Sequence, residues 1–147
     1  MINLSVITKA LQVQLQGAPT TAKYLDRIER GTALNLDPAY TPWVGIYRGS
    51  ISYEAKTLGR GANNWLGQIE LKVVVQASGN ADTGEAEDAL EQAISNVLAA
   101  IETDRTIGGT VAIISGYNVS DYSYRADEEQ SLDFQQAEII IKAEVRS

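Results

Sequence analysis

Neither cysteine nor histidine occurs anywhere in the 147 residues. Without cysteine there is no disulfide, no thiolate nucleophile and no sulfur ligand for a metal, and the chain does not need an oxidising compartment. Without histidine, Ser-His-Asp and Cys-His arrangements, HExxH zinc sites and imidazole acid–base chemistry are excluded together. Carboxylates, lysine, tyrosine and hydroxyls are left to do chemistry, which makes an enzyme the least expected class. Long apolar runs are missing too, since no stretch approaches the roughly 20 residues a membrane helix requires. The opening "MINLSVITKALQVQLQ" lacks a basic n-region and a small-residue cleavage site, and Gln12, Gln14 and Gln16 interrupt its apolar character. The expectation is a soluble protein made and used without export. The 44% hydrophobic and 21% charged residues describe an ordinary globular chain. At this length roughly 70% of the unfolded chain's surface is buried on folding, enough for one core without staples. A single domain over residues 1–147 is expected.

Acidic charge is scarce in the first half and abundant in the second. Residues 1–72 carry 8 Lys/Arg against 5 Asp/Glu, a net +3, whereas residues 73–147 carry 4 against 14, a net −10. Wrapping nucleic acid needs a basic face that neutralises phosphates, so this distribution argues against it. Such a surface suits a basic protein partner, or DNA that must pass without sticking.

Hydrophobic spacing predicts the elements. Ile2, Leu4, Val6, Ile7, Ala10, Leu11 and Val13 predict an amphipathic helix over 2–16, ended by Gly17-Ala18-Pro19. "TAKYLDRIERG" reads as short helix or irregular chain stopping at Gly31, and Thr32 to Pro42, with Pro38 and Pro42, as a connecting loop. Residues 43–57 are rich in aromatic and β-branched types and predict a strand with a break near Gly49. In the next strand Ile69, Leu71, Val73, Val75 and Ala77 face one way, and Gln68, Glu70, Lys72 and Gln76 form a wet opposite face. Ala86, Ala89, Leu90, Ala93, Ile94, Val97, Leu98 and Ile101 draw an unbroken helical stripe, with Asp82 and Glu85 as a candidate capping box. After Gly108-Gly109, residues 110–124 and 131–145 predict two more strands, joined as a hairpin through Asp127-Glu128-Glu129. Leu132 and Phe134 have the opposite parity to Ala137, Ile139, Ile141, Ala143 and Val145, which predicts a bulge near Gln135-Gln136. The fold class is therefore α+β: an antiparallel four-stranded sheet with two main helices on one face, in the order α-β-β-α-β-β.

The candidate sites weigh mostly toward plain structural roles. "LGRGANNWLGQIELKVVVQA" opens like a phosphate-cradling loop. Yet Gly59 and Gly61 precede a strand, with no Lys-Ser and no helix N-terminus to meet a phosphate, so a strand-to-strand connection explains them. Within that reading, the long run from Lys56 to Asn64, flanked by Tyr53 and Trp65 and centred on Arg60, has the residue types enriched at protein–protein hot spots. Tyr53, Lys56, Arg60, Asn63, Asn64 and Trp65 are the candidate subunit-contact loop, with Trp65 as a core anchor the plainer alternative. Glu85, Glu87, Asp88 and Glu91 lie on a regular helix rather than around a glycine turn, so a solvated helix face is the simpler reading than a calcium site. Tyr117, Tyr122 and Tyr124 read first as sheet packing. No cofactor, metal or catalytic residue is expected.

An N-terminal amphipathic helix, two strands joined by a long loop, the helix "TGEAEDALEQAISNVLAAIE" and a terminal strand pair ending "AEIIIKAEVRS" together resemble the tail terminator proteins of long-tailed bacteriophages. The resemblance covers nearly the whole chain and rests on element order and size, not on a diagnostic motif. It implies a non-enzymatic virion protein at the tail–head junction, assembled in the host cytoplasm. It further implies a homohexameric ring that caps the tail tube, stops its growth and joins the neck, with DNA passing through the lumen unbound. Another neck or head–tail joining protein is the nearest alternative, and a small α+β ligand-binding module a more distant one.

Overall fold

A computed structural model describes residues 2–35, 37–55, 65–80, 83–127 and 131–146, with the backbone alone at 24–26, 55, 65, 127 and 146. The elements run α1 (Leu4–Gly17), a 3-10 turn (Ala22–Arg27), β1 (Ile28–Arg30), a second 3-10 turn (Pro38–Tyr40), β2 (Trp43–Ala55), β3 (Trp65–Asn80), α2 (Glu85–Glu102), β4 (Ile113–Asp127) and β5 (Leu132–Arg146). The α+β class holds. The sheet, however, has five strands in the order β1-β2-β3-β5-β4 rather than four. The added strand is parallel: Ile28 pairs with Val44 and Arg30 with Ile46, so the sheet is mixed. The remaining pairings, β2 with β3, β3 with β5 and β4 with β5, are antiparallel.

The apolar stripes explain the packing. Val44 faces Val75 and Ile46 faces Val73 across one seam, while Val73 faces Ile139 and Leu71 faces Ile141 across the next. These side chains are buried together with Ile7, Leu11 and Leu15 of α1 and Leu90, Ile94, Val97 and Ile101 of α2, so both helices cover the same face. Each fully buried Leu or Ile contributes roughly 1.5–3 kcal/mol. The glutamines that interrupt the N-terminal stripe prove to be ties. Gln12 Nε2 donates to the Ile28 carbonyl of β1. Gln14 Nε2 donates to the carbonyls of Ala100, Ile101 and Asp104 at 3.1, 2.9 and 3.1 Å, closing the C-terminal end of α2.

Two local expectations are corrected. Asp82 lies outside the described residues, and the residue capping α2 is Gly84 at φ 68°, while the Glu85 carboxylate accepts from the Asn80 amide. Pairing between β3 and β5 runs without a shift through Gln135 and Gln136, so the expected bulge is absent there. The parity of Phe134 changes nothing in the ladder because Phe134 is buried on the outer face, beneath the Arg125 guanidinium 4.7 Å from its ring centre. A register shift between Arg48 and Ile51 matches the expected break at Gly49, and β4 carries two more, between Ile114 and Gly116 and between Ser120 and Ser123.

The outer face of β3 is wet only along half its length. Lys72 pairs with Glu138 at 2.7 Å in the open half. Val74 and Gln76 are buried in the other half, contrary to the fully wet face the alternation predicts. Trp43 is the reason. Its indole lies across Gly45, the cross-strand partner of Val74, and its Nε1 donates to Glu29 at 2.8 Å. The 3-10 turn at Pro38 closes this end, with the Pro38 carbonyl accepting from Ser78 at 2.8 Å.

Candidate assembly surfaces

The expected contact loop is only partly described. Tyr53 sits on β2 opposite Gly67, 37% exposed, and Trp65 opens β3 with its backbone paired to Ala55. Lys56, Arg60, Asn63 and Asn64 lie outside the described residues. The strands that flank them do form adjacent antiparallel neighbours, as the hairpin reading requires.

Both sides of the sheet end in open strand edges. β1 covers only Val44, Gly45 and Ile46, so β2 from Tyr47 onward has no partner on that side among the described residues. At the other side β4 pairs with β5 and has no further partner among the described residues, leaving a 15-residue edge. Each edge carries a groove of its own chemistry.

Beside β1, a groove of about 440 Å³ is lined by Ser5, Thr8, Arg30, Gly31, Tyr47 and Arg48. Short β1 brings Arg30 under the start of α1, where its Nη1 donates to the Ser5 carbonyl and hydroxyl, both at 3.1 Å. Arg48 follows on β2 and is exposed. Neither arginine forms an ion pair with a described residue. The Tyr47 ring turns to the outer face beside Gly45 and Trp43, where its hydroxyl is buried with no hydrogen-bond partner among the described residues. Burial, assisted by the nearby Glu29 charge, raises its pKa, so the phenol stays protonated and able to donate.

Beside β4, a second groove of about 390 Å³ is lined by Glu87 and Glu91 of α2, Tyr122, Ser123 and Tyr124 of β4, and Gln135 of β5. Tyr122 and Tyr124 are 55% and 61% exposed, which overturns the sheet-packing expectation for both. The register shift between Ser120 and Ser123 accompanies this re-aiming of the strand. Tyr124 donates to Asp133 at 2.9 Å, and that bond raises its pKa, while Tyr122 is raised by burial and then by Glu91. Tyr117, by contrast, packs half-buried against the core and donates to Glu102, as expected of a sheet residue. Glu85, Glu87, Asp88 and Glu91 are all exposed along α2, the solvated face expected of them.

Sequence reasoning missed both grooves as units. Arg30 and Arg48 meet only through the parallel pairing of β1, and no local pattern announces a three-residue strand. The exposed tyrosines carried a signal, since Tyr122 and Tyr124 share a face, but their direction depends on the β4 shift.

No protein-family model matches the chain, and no curated protein matches it. Among solved structures, a chain described as the virion of a native gene transfer agent particle is similar, with a TM-score of 0.46 and 13% identity over 95% of this chain and 94% of that one.

Proposed function

We propose that this chain is a structural protein of a phage-like virion, and more narrowly a tail terminator. Copies of it would form a ring that caps the tail tube, stops its polymerisation and offers its other side to the neck or head-completion protein, with DNA passing through the lumen. The carrying observation is the pair of open sheet edges. A long unpaired edge is a liability in a free monomer unless a partner covers it, and a subunit placed between two like neighbours needs one such edge on each side. The absence of histidine and cysteine from the sequence supports a non-enzymatic role.

The test is negative-stain electron microscopy of the protein mixed with self-assembling tail tubes from the same genome. Six-fold density on one end of tubes that stop growing is the expected outcome. Bare ends on tubes of unchanged length would overturn the reading.

One observation favours a second reading. The basic groove, with two guanidiniums that form no ion pair with a described residue, would suit a small anionic ligand. A dicarboxylate or phosphate that raises the melting temperature by several degrees, in the absence of any tube binding, would support this binding module instead.

A further inference from the structure

We propose that the two grooves are the two halves of one contact, in which the basic groove of one copy receives the acidic, tyrosine-bearing edge of the next. This rests on the ring reading above and names the surfaces that would build the ring.

Position comes first. The Arg30/Arg48 groove lies at the β1–β2 side of the sheet and the Glu87/Glu91 groove at the β4 side, with β3 and β5 between them. A contact joining opposite sides of a subunit is heterologous, and such contacts generate rings when the rotation closes. An isologous contact at either edge would place like charges together, arginine on arginine or glutamate on glutamate.

Chemistry then matches the halves. Arg30 and Arg48 bring positive charge that no described carboxylate neutralises, and Glu87 and Glu91 bring exposed negative charge. Guanidinium groups favour carboxylates through paired, charge-assisted hydrogen bonds. Tyr122 and Tyr124 add rigid, amphipathic area of the kind enriched at interfaces. The occupant of each groove is thus a second copy of this chain.

The experiment is a charge swap on the full chain. Arg48→Glu reverses one side and Glu87→Arg/Glu91→Arg the other; all three residues are exposed, and Arg30 is spared because it also ties α1. Self-association is read by sedimentation velocity at low salt, and capping by the fraction of tube ends decorated. Each variant alone should associate at least about tenfold more weakly than wild type. Mixed in equal amounts, they should regain association, because every mixed neighbour pair again sets opposite charges face to face. The milder Arg48→Gln and Glu91→Gln should weaken association without reversing charge, and melting temperatures verify folding.

Variants that associate and cap like wild type would overturn the contact and leave the ring reading standing. Folded variants that stay apart when mixed would also overturn it. Rescue in solution with bare tube ends would uphold the contact and remove the terminator role. Wild-type protein that neither associates nor caps would overturn both.

Discussion

At position 45 a single added methyl group would meet an indole. The Cβ of an alanine there would contact the Trp43 ring, 2.7 Å from Cζ3, and lie 2.8 Å from Cε2 of Tyr47. Both rings sit over buried backbone and cannot swing into solvent at no cost. Gly45→Ala is therefore expected to destabilise the protein by about 1–3 kcal/mol, measured by urea denaturation. Asp104 offers a different test. Its carboxylate accepts from the amide and hydroxyl of Thr106 and from the Gly108 amide, and these bonds hold its pKa below the ordinary 3.8. A depressed folded-state pKa contributes stability that is fully present above the unfolded value and is lost as pH falls through the folded one. Protection of the Thr106 and Gly108 amides, measured against their intrinsic exchange rates, should accordingly fall as pH drops below 3.8, and Asp104→Asn should abolish that acid step.

Beyond their shared core, the helices are tied by a glutamine. Gln14 serves three carbonyls at the end of α2, where no basic residue occupies the last turn to do so. Gln14→Ala should cost about 1–2 kcal/mol and speed amide exchange in the last turn of α2 while leaving its first turns unchanged. Leu11→Ala, which leaves a void where α1 meets the sheet, should cost about 2–5 kcal/mol in the same urea assay. Elements of this kind were legible in the sequence to unequal degrees. The α2 stripe from Ala86 to Ile101 and the alternation from Ile69 to Ala77 stand out because each repeats its period several times within one segment. β1 does not, because three residues hold no period and its pairing partner lies 16 residues away, from Ile28 to Val44. The buried half of the outer face escaped for a related reason: Gln76 looks wet until Trp43 and the Pro38 turn, both distant in sequence from it, are brought over that half of the sheet.

Taken whole, the molecule is a sheet with unlike ends, and its charge asymmetry was visible in the sequence as +3 against −10 without the location of either excess. Folding converts that asymmetry into two edges. Contacts built on exposed charges weaken as salt screens them, so raising ionic strength from about 0.05 M to about 0.5 M should weaken self-association several-fold, measured by sedimentation, while the melting temperature changes little. The ladder register adds a geometric demand. Arg48 stands level with Leu71 and Ile141, whereas Ser123 stands level with Gln136, five residues nearer the start of β5. Five residues amount to roughly 17 Å along a strand, while three interstrand steps within the subunit and a fourth across the contact span roughly 19 Å. Copies stacked edge to edge with upright strands would climb at every step and wind into a filament. A flat, closed circle of the proposed kind would need the strands to lean by roughly 40° from its axis, a pitch-cancelling angle that an averaged image of a capped tube would show.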